Sequence, residues 1–378
     1  MGKSTKDVPD SDSKPEEQAG RKGVPSPLKW VGAATAVLTL VFGVQQLIGV
    51  ITAHVQRNRQ VKELLATSEM QEQARDYAAA WSSAEQANRL TGGGGGTRAA
   101  EESLAMDWLE NASAPDEQQF NDIVEKVTPV LDRAATSAQG QRKADLLAHL
   151  GWAAFLQSRD GVYGASPDGY YRQALVADPQ NAYAHAMLGH WMMWNGGPMG
   201  EAEGEFDQAL ASGRRRDFVR RLQFAALENA NNEDANLEMV RVLNAMRKNS
   251  ESVDASTRSA AWSVYSRALE PDPWNTERVV VSTRRTQLLA SLPPPEQLAT
   301  FEWLFDNPGF DQTSVWLRDF YRGILADEAG QRTEALQMLR AVLSEISPAG
   351  SASGLRDGGA REAVMTEINA RIARLSQP

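Results

Sequence analysis

Residues 145–156 read DLLAHLGWAAFL and residues 183–194 read YAHAMLGHWMMW, two apolar stretches with a Leu-Gly pair at the same place in each. Their apolar residues recur at spacings of three and four, the period of a helix face, and neither shows the sustained apolar/polar alternation of a strand. Each is followed by a second stretch of the same kind: Tyr171 and Ala174-Leu175 before Pro179, then Ala202, Phe206 and Ala209-Leu210. The shared grammar has a physical sense. Gly151 and Gly189 let one helix approach its partner, small alanines keep the crossing tight, and Tyr171 and Phe206 fill the space beside the glycine. A proline then stops the second helix. The pattern predicts antiparallel helix pairs and an all-α chain.

This grammar resembles that of the tetratricopeptide repeat family, in which Leu-Gly is followed after a turn by a small residue, an aromatic, an alanine and a proline. Ala202, Phe206 and Ala209 keep that spacing, with Arg214 where the family has proline. Tyr171, Ala174 and Pro179 keep it after a longer turn, Ser158 to Pro167. A third match is YRGILADEAGQRTEALQMLRAVLSEISP at 321–348, carrying Gly323, Gly330, Ala335, Leu339, Leu343 and Pro348, and a weaker one is Asp76-Tyr77 with Ala80, Ala84 and Ala87. The resemblance implies a helical-hairpin solenoid over residues 98–378 with a concave face for an extended peptide or a helix, hence a protein-binding scaffold. Residues 215–310 are helical by spacing but lack the grammar, and are read as diverged repeats.

Upstream, residues 30–53 (WVGAATAVLTLVFGVQQLIGVITA) carry no formal charge. As a helix they would extend about 36 Å, enough to cross a hydrocarbon core of roughly 30 Å, so they are expected to be a single-pass transmembrane helix. Residues 1–29, with six Lys/Arg against five acids, are expected to be a disordered tail. Basic residues number four before the span and three after it, within 20 residues, which leans towards a cytoplasmic N-terminus and a periplasmic body at a bacterial inner membrane. Gly32 with Ala36, and Gln45-Gln46, offer self-association through that helix. Residues 54–91 then read as a helical hairpin, and the glycine run within 92–97 as a flexible linker.

The remaining composition narrows the chemistry. The chain has 378 residues, a net charge of −10 and no cysteine, which excludes disulfides, thiolate nucleophiles and cysteine-based metal sites. Its four histidines are 54, 149, 185 and 190; His185 and His190 stand five apart, about 140° around a helix, and cannot share one ion. No phosphate-binding loop, nucleophile elbow or HExxH motif is present, so neither an enzyme nor a cofactor is expected. Acid pairs such as Glu101-Glu102 read as solvated charges. Nucleic acid is not expected as a partner of so acidic a body. One cluster stands out: Arg214, Arg215, Arg216, Arg220 and Arg221. Arg215, Arg216 and Arg220 are candidate contacts for an acidic protein partner, against the plainer reading of a helix face paired with Glu228 or Asp234. WMMW at 191–194 is either covered by neighbouring repeats or a groove wall. The rival functions are a small-ligand receptor, which needs a closed apolar pocket, and an enzyme whose site is scattered through the chain.

Overall fold

The computed structural model describes residues 27–112, 119–162, 164–269, 278–306, 315–347 and 358–377, with the backbone alone for 27–41, 43–44, 119, 278–282 and 358–360. The chain divides into two compact units, residues 1–101 and 102–378. Among the described residues all regular structure is helical, including 278–283, where a run of valines would have suited a strand.

In the first unit, α1 (Pro27–Gln73) and α2 (Tyr77–Thr91) form a hairpin. The turn is set by Arg75 in the left-handed region and by Asp76, whose carboxylate accepts the Ala79 N–H at 3.1 Å as the α2 N-cap. Ala80, Trp81, Ala84 and Ala87 are buried on one α2 face, and the Ser68 hydroxyl donates to the Ala80 carbonyl at 2.9 Å. The expected tail lies outside the described residues as far as residue 26. Residues 30–53 lie inside α1, many of their side chains outside the described residues. Among the described residues no helix is long and apolar enough to cross a membrane. That overturns the expected membrane anchor and its topology, and leaves the expected lipid contact and self-association through that helix without support. In the described part of α1, Phe42, Leu47, Ile48, Val50 and Ile51 share the helix with Gln45 and Gln46, and it runs unbroken into His54, Arg57 and Arg59.

The glycine run is no open linker either. Gly92, at φ 64°, caps α2 by donating to the carbonyls of Arg89 and Asn88, and Gly93 is also left-handed. α3 (Gly95–Glu110) then starts inside the run, where Thr91 Oγ1 accepts the Gly94 N–H at 3.1 Å. Glycine is costly inside a helix, but at a cap its left-handed conformation is favourable. Nor are Glu101 and Glu102 solvated. Both are buried; Glu101 accepts the Asn88 amide at 2.7 Å, and Glu102 is ion-paired with Arg142.

In the second unit, α4 (Gln119–Ser137) packs on α5 (Gly140–Arg159), and α5 pairs with α6 (Pro167–Ala177). α7 (Ala182–Trp194) pairs with α8 (Met199–Ala211), and α5, α7 and α9 (Arg216–Ala230) pack in succession. This sequential stacking of helix hairpins is what the glycine and aromatic spacing predicts. α10 (Glu233–Lys248) follows α9, and then the order changes: α11 (Ala255–Leu269) packs on α12 (Arg278–Ser291), while α10 packs on α9, α12 and α13 (Pro294–Phe305). α14 (Val315–Glu328) and α15 (Arg332–Ile346) restore the hairpin pattern, and α16 (Gly358–Leu375) covers α15. Tyr265, Phe301, Phe305 and Tyr321 form a wholly buried aromatic core there. Arg285 of α12 fastens this end, donating to the last carbonyl of α11, Leu269, at 2.6 Å while paired with Glu367 of α16 at 2.6 Å.

Candidate functional site

At Gly151, Gly189 and Gly323 one helix packs against the next with little room to spare. A Cβ on Gly151 would lie 2.5 Å from the Tyr171 ring, and one on Gly189 would lie 2.8 Å from the Ala202 carbonyl oxygen and 3.2 Å from the Phe206 ring. One on Gly323 would lie 2.9 Å from Leu339, with Ala335 fully buried one turn before it on α15. Each glycine therefore lies where its helix leaves no room for a side chain against the next.

The arginine cluster is engaged within the chain. Arg215 is ion-paired with Glu110 and lies 3.6 Å from Asp107, and its guanidinium stacks on Tyr183 at 5.4 Å. Glu110 also meets His149 Nε2 at 3.1 Å, while His149 Nδ1 faces the Asp145 carbonyl at 2.6 Å. Burial alone would raise the Glu110 carboxyl; the hydrogen bonds and charges of His149 and Arg215 outweigh it and hold that group below its ordinary range. Arg214 reaches Asp145 at 3.4 Å. Arg216 and Arg220 both bind Glu251, at 2.8 and 3.0 Å. Their partners are thus Glu110 and Glu251, far away in sequence, rather than Glu228 or Asp234.

That pairing has a structural effect. Glu251 lies in the short connection from α10 to α11, where Ser250 is left-handed at φ 55° and Asp254 accepts the Thr257 N–H at 2.8 Å to start α11. Two arginines of α9 hold this connection, and α11 packs chiefly on α12 and only slightly on α10. Between α10 and α11 open two adjoining recesses of about 270 and 440 Å³ that share Asn231, Asn236, Val264 and Arg267. The floor is apolar, with Met239, Val264, Ala268 and Leu288 buried, and the walls are polar. Along α11 the wall carries Ser256, Ser259, Ala260 and Ser263, spaced so that they share one face. Opposite, Asn231 is left-handed at φ 42° and Asn232 caps α10 by accepting the Ala235 N–H at 2.9 Å. Arg267 donates to Asn236 Oδ1 at 3.3 Å and to the Ser263 carbonyl at 3.0 Å, and Arg284 lies 3.6 Å from Glu233. Positive and negative groups are balanced in this groove.

Sequence reasoning did not single out these residues. The available signal was the cluster NANNEDAN at 229–236 facing the serine spacing of 256–263, but nothing local joins the two.

His185 faces Glu205 at 2.6 Å and the Pro179 carbonyl at 2.9 Å. His190 is buried against Trp152, Phe155 and Trp194; burial, aided by the Arg159 charge, pushes it down to about 4. The WMMW stretch is half covered: Met193 is buried, whereas Trp194 stays 40% exposed with Arg159 over its ring at 5.5 Å. Among the described residues no cluster of three histidines or carboxylates could hold a metal ion.

No protein-family model matches the sequence, and no curated protein matches it. Among solved structures, the chain is similar to a tetratricopeptide repeat protein from Parabacteroides merdae ATCC 43184, at 12% identity and a TM-score of 0.36, over 82% of this chain and 99% of that one. A likeness at that score carries no argument; the description as stacked helix hairpins rests on the helix packing itself.

Proposed function

We propose that the chain is a protein-interaction scaffold built of stacked helix hairpins, and that a partner segment is taken up in the groove between α10 and α11. The observation that carries this reading is the groove: a buried apolar floor between polar walls, with serines and an alanine along α11 that let another backbone come close. Such a lining suits a peptide with small apolar anchors and unpaired backbone amides, which Asn236 and the serine hydroxyls can meet.

The test is site-specific photo-crosslinking in cells. A benzophenone side chain at Ser259 or Ser263 should capture a defined protein band that the same probe at Gln208, exposed on α8, does not. Ser259→Arg in the probe chain should abolish the band while far-ultraviolet dichroism stays unchanged. Equal capture from Gln208 and Ser263, or a band indifferent to Ser259→Arg, would remove the groove as the docking site.

A further inference from the structure

Glu203 lies on α8 with one carboxylate oxygen satisfied and the other left bare. Its Oε2 accepts the Gln223 amide of α9 at 2.6 Å, whereas Oε1 is buried and has no hydrogen-bond partner among the described residues. Gln223 is itself buried and has little freedom to turn. Arg220 donates to its Oε1 at 2.8 Å, and Arg220 is in turn held by Glu251. This relay fixes the amide nitrogen towards Glu203 and offers the second oxygen nothing.

The charged surroundings come from α8, α9 and α10. Asp207 stands one turn along α8, and α10 presents Glu238, which is paired with Arg241 at 2.8 Å. α9 presents Arg220, whose charge is shared with Glu251 of the connection to α11. His185 of α7 is tied to Glu205, which lies two residues from Glu203 and so on the other side of α8. Two carboxylates therefore repel an ionised Glu203, and a single arginine, spent elsewhere, attracts it.

We propose that Glu203 is a proton-sensitive latch on the seam between α8 and α9: a protonated carboxyl lets the seam close, and its ionisation loosens α8 as the pH rises through the neutral range. Burial is the main reason that the carboxyl stands at about 7 instead of 4.5; Glu238 and Asp207 add to this, and the Gln223 hydrogen bond and Arg220 oppose it. The sign follows from linkage. The closed seam keeps a proton that the opened one releases above about pH 4.5, so opening is favoured as pH rises and levels off above about pH 7. Between pH 6 and 8 the opening constant then rises by at most about tenfold, and by several-fold once contact with solvent is allowed for.

Hydrogen–deuterium exchange of the full chain, corrected for the intrinsic pH dependence of exchange, reads this directly. Peptides covering residues 199–211 should lose protection several-fold, up to about tenfold, from pH 6 to 8, while those covering 140–159 hold theirs. Glu203→Gln should erase the step, and Glu238→Gln, by removing a repelling charge, should move its midpoint to lower pH. Flat protection of α8 in the wild type, or an unaltered step in Glu203→Gln, overturns the latch. Should Glu203→Gln fail to fold, an unshifted midpoint in Glu238→Gln overturns it as well.

Discussion

Replacing the seam glycines by alanine separates two opposed effects that the structure ranks in advance. In a helix interior the change from glycine to alanine is worth about 1 kcal/mol in favour of the helix. Against it stands overpacking, about 1–3 kcal/mol, whose size depends on whether the obstructing atom can yield. At Gly189 the obstruction is the Ala202 backbone carbonyl, 2.8 Å from the new methyl, with the fully buried Phe206 ring behind it. Neither can move without parting α7 from α8, so the upper end applies and the net loss is about 2 kcal/mol. At Gly323 the obstruction is the buried Leu339 side chain, with Cδ2 at 2.9 Å and Cγ at 3.0 Å and no backbone atom, so overpacking stays at its lower end and the two effects should nearly cancel. Gly204, on α8, has nothing within 4 Å and should gain the full propensity term. Since each kcal/mol is worth about 2–4 °C, thermal unfolding followed by dichroism at 222 nm should drop by roughly 4–8 °C for Gly189→Ala, barely move for Gly323→Ala and rise by about 2–4 °C for Gly204→Ala. A Gly189→Ala protein that melts at or above Gly204→Ala would refute the close approach of α7 and α8.

Three further outcomes follow from the buried polar groups. Arg215→Ala leaves the Glu110 carboxylate buried without its guanidinium and should cost about 1–3 kcal/mol at pH 7 by urea denaturation, a figure discounted because Arg215 is partly exposed. The Glu110 carboxyl is held below its ordinary range when folded, so its contribution is present above about pH 4.5 and fades as the pH falls; the variant should show a shallower loss between pH 5 and 3 than the wild type. Tyr171 and Tyr265 are wholly buried with hydroxyls that find no partner among the described residues, so Tyr171→Phe and Tyr265→Phe should leave stability unchanged or raise it by about 1 kcal/mol in the same titration. Glu251→Ala unpins the connection before α11, and the Ser263 crosslink should weaken with it while the helical dichroism is kept.

What could be read from the chain was what is local in it. Gly189, Ala202 and Phe206 lie within one hairpin, so their spacing alone carries the seam; the same holds for Gly151 with Tyr171, and for Gly323 with Ala335. Glu110 and Arg215 lie 105 residues apart, and Arg216 lies 35 from Glu251. No periodicity joins such pairs, which is why the arginines read as contacts for a partner or for the nearby Glu228 and Asp234, and why Glu101 and Glu102 read as solvated. The glycine run misled for a different reason: composition averages over five residues, whereas a cap uses each position separately. The groove was hidden because it arises where the hairpin pattern breaks, beside a connection held by Arg216 and Arg220, 35 and 31 residues from Glu251.

The long reach of Arg215 to Glu110 also bears on how the protein is made. At about 5–20 residues per second a ribosome needs roughly 5–20 s to add the 105 residues between them. For that interval the nascent α3 and α5 hold Glu110 and His149 without the cation that later seals them. Synthesis therefore passes through a vulnerable window that closes only when α9 begins, and codons that slow translation between α3 and α9 would lengthen it.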